Sequence, residues 1–258
     1  MRSARLGLAK GWPARGSLPR VLRRLTPNSF GQAGDGRERA LARHVLATTP
    51  SGDLDAVIAA IDEFAYQKAH LINVGDEKGA ILDAAVRSAE PRRLLELGTY
   101  CGYSALRIAR VMPPGARLVS IERGAANARI ASRILRHAGV AQRVGVVVGR
   151  LDDGGATLAR LRERHGFAPG ALDFAFLDHG KEEYLPDLER ILAQGWLRPG
   201  SIVVADNIEN PGVPDYLRYM RRHQGTLWRT TEHHTHVEYQ HQLPDLVLES
   251  EYLGIRPD

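Results

Sequence analysis

The sequence holds a single cysteine, no apolar run long enough to cross a bilayer, and no acidic residue among its first 34 positions. Each shortage excludes something. One cysteine, Cys101, rules out an intrachain disulfide and gives no support for a cysteine-based zinc site, which points to a reducing, cytoplasmic setting. Without a stretch of about 20 apolar residues there is no candidate membrane-spanning helix. The acid-free start carries Arg2, Arg5, Lys10, Arg15, Arg20, Arg23 and Arg24; setting these seven aside leaves 28 Lys and Arg against 30 Asp and Glu. The formal charge of +5 therefore belongs to the N-terminus, and the near-neutral body is not a nucleic-acid binder by charge. The start also lacks the apolar centre of a secretory signal. Its Arg, Gly, Pro and Ala content without periodicity reads residues 1–36 as a disordered extension, with an organellar transit peptide as the other reading. No repeat or linker interrupts residues 37–258, and 258 residues with 43% apolar content suffice for one core. One catalytic domain is expected, monomeric or weakly dimeric.

What is present is organised around residues 93–104, Arg-Leu-Leu-Glu-Leu-Gly-Thr-Tyr-Cys-Gly-Tyr-Ser. A short apolar run of buried-strand type passes through two glycines and continues into a helical pattern over residues 105–112. Strand, tight turn and helix open a nucleotide-binding βαβ unit, in which backbone and helix N-terminus approach the ligand closely. The dinucleotide pattern G-x-G-x-x-G is absent; the chain has Glu96-x-Gly98-x-x-x-Gly102 instead. A carboxylate at the strand end would repel a pyrophosphate and favours a ligand bearing a cationic amino group. A second strand ends in Glu122, 20 residues past Gly102, where an acid holds ribose hydroxyls. Acids at both strand ends make S-adenosyl-L-methionine a better reading than NAD.

The rest of the chain alternates. Asp53 is a plausible N-cap for a helix carrying Leu54, Val57, Ile58, Ile61 and Phe64. Residues 73–76 break the pattern, either as a lid over the cofactor or as a plain helix–helix turn, before a helix over 78–89. Strands are expected at 94–97, 118–122, 144–148, 173–177 and 201–205, with helices around 125–138, 157–164, 183–194 and 215–222. This alternation predicts an α/β fold with a parallel sheet covered on both faces. A closing hairpin is expected from residues 237–239 and 246–252, turning at Leu243-Pro244-Asp245.

Ligands of such sheets bind outside the carboxyl ends of the strands. Two later strands end there in Asp178-His179-Gly180-Lys181 and Asp206-Asn207. Two aspartates and an asparagine are hard oxygen donors suited to Mg²⁺. Lys181 can reach the same place, and a lysine beside a divalent ion gives up its proton more readily, which suits a proton acceptor. His179 either stacks on an adenine or fills the cleft edge. Histidines 233, 234, 236 and 241 lack a firm metal-ligand spacing, and a hydrated hairpin face is the reading favoured for them.

These motifs carry a resemblance. From about Asp35 to Tyr252 the chain resembles the catechol O-methyltransferases, in Asn73-Val-Gly-Asp-x-Lys-Gly79, Leu95-Glu-Leu-Gly-x-Tyr-Cys-Gly-Tyr-Ser104, Phe176-Leu-Asp-His-x-Lys181, Ala205-Asp-Asn207, Pro211-Gly-x-Pro-Asp215 and Glu238-Tyr239. The resemblance implies a Rossmann-like methyltransferase with a mostly parallel seven-stranded sheet and an antiparallel C-terminal hairpin. It further implies that Asp178, Asp206 and Asn207 bind Mg²⁺, that Lys181 takes the proton from the reacting hydroxyl of a catechol, and that Glu238 hydrogen-bonds the second hydroxyl. Glu96 would hold the methionine amino group and Glu122 the ribose. Around them Ile72, Asn73, Val74, Gly98, Tyr100, Gly102, Tyr103, Ser104, Arg123, Asp152, Asp178 and His179 would form the cofactor site. His70 and Pro211 would join Asp178, Lys181, Asn207 and Glu238 at the substrate. The chain departs from the family at His70 and Gly180, which match tryptophans walling the catechol slot, at Ile72, which matches a methionine, and at Leu151-Asp152, which match Ser-Gln at the adenine. A wider slot is expected, open to a larger phenol or vicinal diol; a catalytically silent S-adenosylmethionine-binding protein is the remaining alternative.

Overall fold

A computed structural model of the protein describes residues 35–254. The extension expected over residues 1–36 lies almost wholly outside the described residues. Seven strands form one sheet: β1 (Arg93–Leu97), β2 (Arg117–Glu122), β3 (Val144–Val148), β4 (Leu172–Leu177), β5 (Leu197–Ala205), β6 (Trp228–Val237) and β7 (Gln240–Tyr252). Their order is β3-β2-β1-β4-β5-β7-β6. The first five run parallel, and β7 enters antiparallel between β5 and β6. The chain reverses direction across the sheet at β1/β4, so a crevice opens at the carboxyl ends of these strands.

Alternation along the strands builds two cores. Leu94, Phe174, Phe176 and Val204 face a layer containing α1 (Arg37–Thr48), α2 (Leu54–Gln67), α3 (Gly75–Ala89), α4 (Tyr103–Val111) and α5 (Ala125–His137). Their neighbours Leu95, Leu97, Ala175, Leu177 and Val203 face α6 (Ala156–His165), α7 (Tyr184–Ala193) and α8 (Pro214–Arg222). Asp53 caps α2 as its spacing predicts, accepting from Ala56 N at 2.9 Å.

Three elements differ from the expectation. Helix α1 was hidden in an Arg-rich segment, yet Leu41, Ala42 and Val45 share one face and are buried. Strand β6 reaches back to Trp228, and its Thr, Glu and His residues mask the strand pattern because it is the sheet edge. The hairpin turns at Glu238–Tyr239 rather than at Leu243-Pro244-Asp245. Tyr239 takes a left-handed φ of 56°, while Pro244 lies within β7 opposite His236, where the register shifts and β5 no longer pairs.

Candidate active site

A cavity of about 1810 Å³ occupies the carboxyl ends of the central strands, roofed by the segment before α3 and by the β6–β7 turn. Gly98 permits its floor. With φ at 101°, a Cβ there would fall 2.2 Å from the Asp178 carbonyl oxygen, so only glycine lets the ends of β1 and β4 meet.

One half of the cavity is built on β1 and β2. Glu96 is wholly buried; its Oε2 accepts from Ser120 Oγ, and its Oε1 has no partner. Burial pushes this carboxyl up to about 7, against the opposing pull of the neighbouring Ser104 and Ser120 hydroxyls. An orphaned buried carboxylate oxygen beside a cavity fits a cationic ligand group. Glu122 Oε2 accepts from Tyr100 N at 2.8 Å and Oε1 from Gly124 N at 2.7 Å, which fixes its carboxylate at the cavity wall. Burial raises its pKa as well. Ile72, Asn73, Gly98, Tyr100, Ser104, Arg123 and His179 also line this space. The His179 ring stacks on Tyr184 at 4.9 Å and its Nε2 lies 3.1 Å from Asp187 Oδ2, so the side chain is held from behind.

The other half gathers oxygens. Lys181 Nζ donates to Asp178 Oδ1 at 3.0 Å, Asn207 Oδ1 at 2.8 Å and the Tyr184 hydroxyl at 2.8 Å. Asn207 adopts a left-handed φ of 56°, which asparagine tolerates better than most residues. Beneath them Lys78, fully buried, meets Asp206 Oδ1 at 2.9 Å, Glu238 Oε2 at 3.1 Å and Asp245 Oδ2 at 2.9 Å. Burial opposes the charge on Lys78, but these carboxylates outweigh it and raise its pKa. Burial also raises Asp178 and Asp206, partly countered by the two lysines. Four carboxylates against two ammonium groups leave a formal excess of two negative charges, and Asp206 Oδ2 is buried without a partner. Hard donors from Asp178, Asp206 and Asn207 with that excess suit a divalent cation.

Most residues expected at a site converge here, including His70, Pro211 and Glu238 on the cavity wall. Others stand apart. Val74, Gly102 and Tyr103 pack behind the wall, Tyr103 with its hydroxyl on Arg107. Glu96 and Asp206 are buried and do not line the cavity, though each adjoins a lining residue, Leu97 or Asn207. Asp152 is turned away and paired with Arg150 at 2.6 Å, leaving Arg150 and Leu151 to line the cavity. Lys78 and Asp245 went unassigned from sequence; Lys78 lay inside a quoted motif, whereas Asp245 was masked as a turn residue.

The family model described as O-methyltransferase matches residues 48–214. The chain belongs to the O-methyltransferase family. A probable O-methyltransferase of Mycobacterium tuberculosis is 63% identical over 224 residues, spanning 87% of this chain and 95% of that protein. Catechol O-methyltransferase B of Danio rerio is 42% identical over 203 residues, 79% of this chain and 74% of its own length. Among solved structures, the O-methyltransferase TomG from Streptomyces achromogenes, described in complex with SAM, superposes with a TM-score of 0.62 at 25% identity, covering 86% of this chain and 99% of that one. The sheet order and antiparallel end of this O-methyltransferase are thus those of the S-adenosylmethionine-dependent fold. No helix among its described residues is long and apolar enough to cross a membrane.

Proposed function

We propose that this O-methyltransferase transfers the methyl group of S-adenosyl-L-methionine to one hydroxyl of a catechol, with Mg²⁺ held by Asp178, Asp206 and Asn207. The observation that carries the reading is a buried carboxylate oxygen without a partner beside each half of the cavity: Glu96 Oε1 and Asp206 Oδ2, next in the chain to the lining residues Leu97 and Asn207. The first would hold the methionine ammonium and the second belongs to the metal's donor set. When bound, Mg²⁺ supplies charge that favours the ionised form of an acceptor hydroxyl. Lys181, whose Nζ lies 3.0 Å from Asp178 Oδ1, would take that proton in its neutral form. The acceptor O–H bond then breaks, an O–CH₃ bond forms and the S–CH₃ bond is released. Lys78 holds Glu238 Oε2, and Oε1, 3.8 Å from His70 Nε2, would accept from the second hydroxyl. Glu122 would bind the ribose hydroxyls. Rate would come mainly from positioning and electrostatics rather than covalent chemistry.

A second reading, a larger phenol or vicinal diol as acceptor, is favoured by His70 and Gly180 lining the wall, at positions where the catechol O-methyltransferases that the chain resembles carry tryptophans. The deciding experiment is methyl transfer to a simple catechol with Mg²⁺ and again with chelator. Metal-dependent product supports the first reading. Cofactor binding without product removes the simple catechol and moves the test to larger diols.

A further inference from the structure

Two histidines beside the hairpin turn take no part in that reaction. His236 lies near the end of β6 and His241 near the start of β7, flanking the turn at Glu238–Tyr239. Glu77, in the first turn of α3, reaches both. His236 Nδ1 lies 3.0 Å from Glu77 Oε1 and 3.2 Å from Oε2, and His241 Nδ1 lies 3.3 Å from Oε2. One ligand atom from each of the three residues falls within a 4.8 Å set.

Two imidazoles and a carboxylate are the donor set of a zinc-type ion, not of Mg²⁺, which takes oxygens. At metal–ligand bonds of about 2.0–2.2 Å, tetrahedral ligand atoms sit roughly 3.3–3.5 Å apart. The His–Glu separations of 3.0–3.3 Å are close to this, and the two histidine ligand atoms lie within 4.8 Å of each other. The ligands are also held from outside. Thr235 Oγ1 donates to Glu77 Oε1 at 2.8 Å, and the Tyr66 hydroxyl lies 3.4 Å from His241 Nε2. Side-chain exposures of 42%, 40% and 59% for His236, Glu77 and His241 leave an ion access and a position for water.

We propose that Glu77, His236 and His241 form a binding site for Zn²⁺ or a similar borderline divalent ion, separate from the oxygen-donor cluster at Asp206. Such an ion would clamp the β6–β7 turn to the start of α3. The turn carries Glu238 and Tyr239, and α3 follows Asn73, so the clamp would join two walls of the cavity. Contact there is already close: a Cβ on Gly75 would lie 2.9 Å from Glu238 Cβ.

The test uses the untagged full-length chain in saturating Mg²⁺, titrated with Zn²⁺ by calorimetry and with Co²⁺ by visible absorption. We expect one equivalent bound with a four-coordinate Co²⁺ spectrum, and an affinity loss of about 100-fold or more in a His236→Ala/His241→Ala variant. Zn²⁺ should also raise hydrogen-exchange protection over residues 236–241 in the wild type alone. Should the double variant fail to fold, His241→Asn alters the most exposed ligand and must still weaken binding. An unchanged equivalent in folded variants would assign the ion to the Asp178 and Asp206 cluster and overturn the proposal. So would the absence of wild-type binding, leaving a hydrogen-bonded His–Glu cluster only.

Discussion

Lys78 Nζ lies 2.9 Å from Asp206 Oδ1 in an ion pair, and neither side chain is more than 1% exposed. The same ammonium also meets Glu238 and Asp245, so one lysine offsets part of the charge of a cluster drawn from the end of β5, from β7 and from the hairpin turn. Removing it would leave buried carboxylates uncompensated. Lys78→Met should therefore destabilise the fold by about 3–5 kcal/mol, measured by urea unfolding. A loss below about 1 kcal/mol would mean that the cluster is hydrated rather than ion-paired.

Lys181 touches Asp178 and Asn207 from the cavity side, where it lines the wall. Lys181→Ala is expected to lower kcat by about 10²–10⁴-fold while the Kd for S-adenosylmethionine changes little, as loss of a general base predicts. Near-normal turnover would take Lys181 out of the proton-transfer role.

The metal assignment has its own variant. Asp206→Ala removes the carboxylate whose Oδ2 lacks a partner. Activity and its response to Mg²⁺ should disappear together, with chelator making no further difference. A variant that stays active in chelator would show that no metal is needed.

Glu96 sets a pH dependence. Burial raises its carboxyl from 4.5 to about 7, so in the cofactor-free protein its contribution to stability is whole below pH 4.5 and is lost as pH rises through 7. The loss at pH 8 is on the order of 3 kcal/mol. Glu96→Gln should thus raise the Tm of the cofactor-free protein at pH 8 and not at pH 4. The wild type should bind S-adenosylmethionine more weakly below about pH 7, where the acid is protonated, and the variant should bind poorly throughout. Equal Tm changes at both pH values would contradict the buried-acid account.

Gly98→Ala forces a Cβ to within 2.2 Å of the Asp178 carbonyl and keeps φ at 101°. A loss of several kcal/mol and of cofactor binding is expected. Gly145→Ala, with no positive φ and open space around its Cβ position, is the control and should be close to neutral.

Much of this protein was legible in the chain itself. The buried strands announce themselves as apolar runs, and the acids at their ends mark the ligand side because parallel strands direct their carboxyl ends to one crevice. Glu96, Asp178, Lys181 and Asp206 were therefore identifiable by order alone. Helix α1 was not, since its arginines conceal a narrow apolar face, nor was β6, whose polar residues suit an edge strand.

Tertiary structure decided the rest, because spatial pairings between distant segments leave no mark on local periodicity. Asp245 has the look of a turn residue beside Pro244 until the true turn at Glu238–Tyr239 carries it inward to Lys78, 167 positions away. The same turn brings His236 and His241 to Glu77. Asp152 went the other way, drawn to Arg150 at the surface. The sequence alone determined which chemistry this chain carries and which end of the sheet presents it. The three-dimensional packing of α3 against the last hairpin decided which carboxylates meet Lys78 from within.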